Sequence, residues 1–251
     1  MKARLIGVGT PFSMLNIVPE QNACLNTPTF EERLRKGVAN NSSSEGGILP
    51  FTDDWGTIND LAVCLKSGES KDEIFELINK DWVMTLYRYR LASGPIVQIV
   101  LRLDDPEGRR KFIRPLRVDR QIGSVYKVAA LAMAAPRPLY RLELLATAPV
   151  TSEVLLVEGE KAADAGQLLF PEIPVLTWSS GAQGYSKTDL SPLVGRRVVI
   201  WPDNDPTGAA STKTLAPLLL KIGVQSVRIV HVPETFPLKW DLANPVPVNH
   251  E

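Results

Sequence analysis

The sequence predicts an α/β protein: a mostly parallel sheet with helices on both faces, preceded by a small, basic, β-rich region. Three observations predict it. From about residue 153 to 231, short apolar runs alternate four times with helical stretches, the pattern of βα units. Between residues 83 and 118, apolar and β-branched runs interleaved with Arg and Lys are separated by tight turns, the pattern of an antiparallel meander. The third is charge. The chain of 251 residues has a net charge of zero, yet residues 1–80 carry −3, residues 81–141 carry +7 and residues 142–251 carry −4. A basic middle between acidic ends suggests a polyanion track beside a metal site, or two solvated charged faces.

The elements follow in order. Residues 1–50 are rich in Pro, Asn, Ser and Gly; 40–47 (NNSSSEGG) reads as a flexible linker and 30–38 (FEERLRKGV) as a short polar helix. Residues 53–64 look ordered, and 71–79 (KDEIFELIN) has an acidic first turn before Ile74, Phe75, Leu77 and Ile78, which suits a helix. The meander comprises 83–91, 96–103 and 111–118, with turns at Ser93-Gly94-Pro95 and at Asp104 to Gly108. Beyond it, 154–157 (VLLV) is apolar throughout, as in a buried parallel strand. An Ala-rich helix covers 160–169, a second strand 174–178, a loop 179–184, and Asp189 N-caps the next segment. A third strand covers 197–201, a long helix 206–222 with Gly223 at its end, and a fourth strand 226–231. Met133, Trp178 and Trp201 read as core. Tyr87, Tyr89 and Phe112 lie among arginines, where they either stack on unpaired bases or point inward.

Several function classes are excluded by composition. Cys24, Cys64, His231 and His250 are scattered, whereas a structural zinc site needs four soft ligands in close pairs, so neither a zinc ribbon nor a disulfide scaffold is expected. Two thiols suit a reducing cytoplasm, the expected location. No apolar run reaches the roughly 18 residues of a membrane helix, and Leu5 to Val8 is too short for a signal peptide, so no membrane partner is expected. The histidines have no nucleophile and acid around them in motif form, and a hydrolytic triad is not supported.

In an open parallel sheet, functional groups gather at the C-terminal ends of strands. Two strands here end in acid: one in Glu158-Gly159, the other in Asp203-Asn204-Asp205 after Trp201-Pro202. If the two strands are neighbours, Glu158, Asp203 and Asp205 share one rim. Carboxylates so close need a cation between them, and hard oxygen ligands suit Mg²⁺ or Mn²⁺. Gly159 lets the backbone turn sharply beside a ligand. Asp205, before Pro206, also reads as a helix N-cap.

The runs VEGEKAADA (157–165) and WPDNDPTG (201–208) resemble the two acidic motifs of the TOPRIM domain, shared by bacterial-type primases, topoisomerases and related nucleases. The 45-residue spacing from Glu158 to Asp203 holds a strand and helices, as in that family. The chain is most similar to phage- and plasmid-type primases, in which a segment like LYRLELL (139–145) leads into the first motif and a basic β segment like 85–117 precedes it. KWDL (239–242) resembles a further acidic motif and implies that Asp241 lies near the metals. The resemblance covers roughly residues 83–245. Two parts of such primases are missing from it: there is no zinc ribbon, and no Walker A sequence, because GAQGYSKT (181–188) has Ser186 where a glycine must precede the Lys.

The resemblance implies a primase-like nucleotidyltransferase that makes short primers on single-stranded DNA in phage, plasmid or mobile-element replication. Its substrates would be nucleoside triphosphates. Glu158, Asp203 and Asp205 would be catalytic and, with Asp241, would bind Mg²⁺ or Mn²⁺; Gly159, Gly181 and Gly184 would line the site. Arg109, Arg110, Lys111, Arg114 and Arg117 would track the template, and a separate helicase or zinc-ribbon protein would be a partner. A TOPRIM nuclease and a non-catalytic DNA-binding accessory stay open as alternatives. The expected layout is an N-terminal region (1–80), a basic β-rich subdomain (81–149), a TOPRIM domain (150–245) and a tail (246–251).

Overall fold

A run such as VLLV or VVIW has no polar face, so it is stable only where a sheet pairs its backbone and other elements cover both its sides. The computed structural model shows that arrangement; it describes residues 13–17, 51, 53, 55, 69–122 and 125–247. The expected helix at 30–38, the linker at 40–47, most of 53–64 and both cysteines lie outside the described residues. The elements are β1 (Ser13–Ile17), α1 (Glu69–Ile78), β2 (Val83–Arg90), β3 (Ile96–Asp104), β4 (Lys111–Ile122), β5 (Val125–Ala129), a helical turn (Leu144–Thr147), β6 (Glu153–Val157), α2 (Glu160–Leu169), β7 (Val175–Leu176), two 3-10 turns (Gly184–Lys187 and Ser191–Leu193), β8 (Arg197–Trp201), α3 (Pro206–Lys221) and β9 (Ser226–His231). They form two compact units, one of described residues 13–17 and 144–247, the other of the described residues from 51 to 143.

The first unit is a five-stranded sheet in the order β1-β9-β8-β6-β7. Its four strands from β6 onward are parallel, with Val157 beside Trp201 and Ile200 beside Ile229. Val154–Val157 and Val198–Trp201 are buried, and Leu215 and Leu219 of α3 join the core. Gly166 lets α2 approach β7 closely: a Cβ there would lie 3.0 Å from a Val175 methyl. The strand β1 has no counterpart in the sequence-based reading. It pairs antiparallel with β9, Ser13 opposite His231 and Ile17 opposite Val227, and so closes the β9 edge. Such a pairing, drawn from the far end of the chain, leaves no local sequence signal.

The second unit is an antiparallel meander in the order β2-β3-β4-β5. It has one strand more than the three expected. Alternation sorts its side chains. Ile99, Leu101, Leu103, Phe112 and Leu116 point to one face, where they pack with Ile74 of α1, Phe51 and Trp55. Tyr87 and Tyr89 point to the other face and pack on Tyr140, with ring centroids 5.9 and 5.2 Å away. All three aromatics considered for base stacking are buried: Tyr87 is 4% exposed, Tyr89 0% and Phe112 9%. Inward packing therefore holds for them, as it does for Met133, which packs on Val97.

Candidate functional site

Because β6 and β8 are neighbours with Val157 opposite Trp201, their C-terminal ends lie side by side. Glu158 follows β6 directly, and Asp203 follows β8 by two residues. The Asp203 backbone N–H donates a hydrogen bond to the Glu158 carboxylate. The other side of that carboxylate is less well served: Glu158 Oε1 is buried and has no hydrogen-bond partner. Burial first, and the charge of Asp205 second, push the Glu158 pKa up to about 7, against the opposing effect of the Asp203 amide.

Local structure explains how Glu158 reaches this place. Gly159 has φ 87 and ψ 149, a backbone region open essentially to glycine, and it turns the chain from β6 into α2. Thr177, fully buried just past β7, brackets the turn. Its hydroxyl donates to the Val157 carbonyl at 2.7 Å and accepts from the Gly159 N–H at 3.0 Å. On the facing side, Gly208 has room for no side chain. A Cβ there would lie 2.5 Å from the Asp203 carbonyl oxygen and 2.9 Å from Glu158 Oε1.

Asp205 has a second task. It is the N-cap of α3, with extended backbone, its Oδ1 accepting the Gly208 N–H at 2.8 Å and Pro206 in the first turn. Asn204, between the two aspartates, is held on all sides. Its N–H donates to the Trp240 carbonyl and its carbonyl accepts from the Lys239 N–H, both at 2.9 Å. Its side-chain amide donates to the carbonyls of Phe236 and Pro237, both at 3.0 Å. This pairing brings the 236–241 segment alongside the Asp203-Asn204-Asp205 loop. Asp241 closes a turn of its own: Oδ1 accepts from the Ala243 N–H at 2.8 Å, and its N–H donates to Asn244 Oδ1 at 2.9 Å. Thr177, Asn204 and Gly208 were not singled out from the sequence. Their only sequence signals are positional: the end of the second strand, the centre of the acidic pair and the first turn of the following helix.

The loop after β7 uses both of its glycines for its own geometry. Gly181 has φ 72 and accepts the Trp178 indole N–H at 2.8 Å. A Cβ on Gly184 would lie 1.9 Å from the Ser179 carbonyl oxygen. Ser211 of α3 donates to the Ala182 carbonyl at 3.3 Å, which ties the loop to the helix that Asp205 caps. A cleft of about 660 Å³ lies between α3 and the end of β9, walled in part by Asp203, Asn204, Lys213, His231 and Phe236.

Among the described residues no group of three or more His, Cys, Asp or Glu side chains is arranged to hold a metal ion. The physical reason is visible at Asp205 and Asp241, whose carboxylates accept nearby backbone N–H groups. The donor set still fits a hard divalent cation. Mg²⁺ keeps several waters and takes one or two carboxylates plus substrate phosphates. Glu158 offers a buried oxygen without a partner.

The basic residues of the meander are divided among several surroundings. Arg109 and Arg110 sit on the β3–β4 turn with side chains 74% and 78% exposed. Arg109 pairs with Glu107, and Arg110 lies 5.5 Å from the Trp82 ring centroid. Asp105 organises this turn. Burial of its carboxylate would raise its pKa, but the N–H groups of Glu107, Arg109 and Arg110 hold it below the usual value. In β4, Arg114 faces the α1 side, opposite Leu101; it lies 4.1 Å over the Phe112 ring and pairs with Glu73 at 3.2 Å. Lys111 and Arg117 are at odd positions and point to the opposite face. The five cations are thus close in sequence without forming one strip.

No protein-family model and no curated protein matches the chain. Among solved structures it is similar to the primase fragment of the bacteriophage T7 primase-helicase protein, with TM-score 0.40 and 15% identity over 78% of this chain and 74% of that one. It is also similar to the E. coli primase catalytic core, with TM-score 0.40 and 12% identity over 74% and 62%. A third is the Aquifex aeolicus primase (zinc-binding and RNA polymerase domains), with TM-score 0.37 and 15% identity over 72% and 46%. With identities of 15% or less, function has to be read from the side chains at the strand ends.

Proposed function

We propose that this chain is a primase-like nucleotidyltransferase of the TOPRIM type, making short primers on single-stranded DNA from nucleoside triphosphates with Mg²⁺ or Mn²⁺. The observation that carries the reading is the juxtaposition, on neighbouring parallel strand ends, of Glu158 with an unpartnered buried oxygen and the Asp203-Asn204-Asp205 loop. Glu158 and Asp203 would hold the cation, with Asp205 and Asp241 adding negative charge at the rim. When bound, the ion supplies positive charge against phosphate oxygens. The alternative role for Glu158 is general base toward the attacking 3′-hydroxyl, in place of cation binding. Asn204 and Gly208 keep the acidic loop and the first turn of α3 at contact distance from it. The cleft beside Asp203 is of a size that accommodates a nucleotide.

The basic meander would contact the template. Phage, plasmid or mobile-element replication and a separate helicase or zinc-ribbon partner are the setting this reading implies. The test is direct: purified protein, single-stranded DNA, labelled nucleoside triphosphates and Mg²⁺ or Mn²⁺. Metal-dependent labelled oligonucleotides that disappear in Asp203→Asn support the assignment. Cleavage of the DNA without synthesis would move the chain to the nuclease reading. DNA binding with neither product would make it an accessory.

A further inference from the structure

We propose that Thr177 is a positioning residue for Glu158. Parallel strands β6 and β7 pair only through Leu155 with Val175 and Leu156 with Leu176, so the backbone ladder ends before Glu158. The Thr177 hydroxyl continues it by one step. It is a donor to the carbonyl before Glu158 and an acceptor for the N–H after it. A single oxygen therefore fixes both peptide groups that flank the carboxylate-bearing residue, at the glycine turn where the chain is otherwise freest. Thr177 is fully buried, so solvent does not compete for that oxygen. With the turn fixed, the Glu158 side chain lies against the Asp203 N–H and the bare face of Gly208. A threonine placed only for packing would be replaceable by valine, which has the same shape. Here valine would leave a buried carbonyl and a buried N–H without partners.

This role deepens the function proposed above and depends on it only for what the carboxylate does. The test separates the two. Amide hydrogen exchange is measured by NMR on the full chain for the parent, Thr177→Val and Thr177→Ser. In Thr177→Val, exchange at Gly159 and at Asp203 is expected to quicken by about tenfold or more, while Ile200 and Ile229 stay at parent rates. Thr177→Ser keeps the oxygen and should hold both amides near parent values. Faster exchange at Gly159 with Asp203 unchanged would overturn the proposal, because the hydroxyl would then bracket a strand end without placing Glu158. If the valine variant does not fold, the serine variant decides: Asp203 protection kept supports the proposal, and Asp203 protection lost refutes it. Mn²⁺ binding, measured with the metal alone, should weaken about tenfold in Thr177→Val and recover in Thr177→Ser. A parent that binds no Mn²⁺ would overturn the metal reading, and the amide comparison would still settle the placement of Glu158.

Discussion

The acidic rim of the parallel sheet and the basic strand of the meander both concentrate charge, but they hold it differently. At the rim, the side chains answer to the backbone. Glu158 lies on the Asp203 N–H, Asp205 on the Gly208 N–H and Asp241 on the Ala243 N–H. On the meander, the cations answer to other side chains: Arg114 to Glu73 and Phe112, Arg109 to Glu107, Arg110 to Trp82. Backbone partners are set by the fold and do not move unless it does. Exposed ion pairs contribute little and exchange readily with solvent or a polyanion. The comparison separates a preorganised site from an adaptable surface, and each prediction below presses on that distinction.

The largest effect should come from the rim itself. Glu158→Gln and Asp203→Asn are each expected to lower primer synthesis by at least about 10²-fold, as losses of preorganised groups at a reacting centre do. Variants of the meander arginines should change it far less. Equal losses in both regions would erase the distinction.

The next effect concerns a buried cation that behaves like the rim rather than like the meander. Arg196 is 6% exposed and donates to the carbonyls of Leu145, Ala148 and Pro149, pinning the helical turn before β6. Burial lowers its pKa. Arg196→Met should cost about 2–3 kcal/mol in urea unfolding, since it strands buried carbonyls. A cost below about 0.5 kcal/mol would class Arg196 with the exposed arginines.

Glu158 also leaves a mark on the pH dependence of stability. Folding raises its pKa from 4.5 to about 7, so the native state holds this proton more tightly than the unfolded chain. Its contribution is therefore full below the unfolded value, falls as the pH rises towards 7, and is level above. Discounted for partial exposure, the decline is on the order of 1–2 kcal/mol without metal. Glu158→Gln should flatten that part of the profile and be the more stable protein at pH 8. A variant whose profile parallels the parent's from pH 5 to 8 would contradict the burial of this carboxylate.

The smallest effect tests the division of the cations by the pleat. Lys111→Ala with Arg117→Ala should weaken single-stranded DNA binding and flatten its log–log salt slope by about one unit, at about 0.7 per phosphate contact. Arg114→Ala should change the slope by less, because Arg114 is engaged with Glu73 and Phe112 on the other face. A larger change from Arg114 would put the contact on the α1 side.

Much of this protein was settled by local sequence. Apolar runs without a polar face could only be buried strands, the Asp-Pro pair before a helical stretch had to start α3, and two of the strands ended in acid whatever their order. The five cations read as one track in the sequence, whereas in the folded strand positions three apart face opposite ways, which puts Arg114 and Arg117 on different faces. Tertiary structure decided the rest. Strand order made β6 and β8 neighbours and so put Glu158 beside Asp203. Residues 13–17 became an edge strand through a pairing that spans the chain. Thr177, Asn204 and Gly208 acquired their places from groups distant in sequence: the Val157–Gly159 turn, the carbonyls of Phe236 and Pro237, and Glu158. The physical reason is common to all of these. A residue's periodicity and turn preference are properties of its neighbours along the chain, whereas the partner of a buried hydroxyl, amide or carboxylate is whichever segment the packed sheet brings within 3 Å of it.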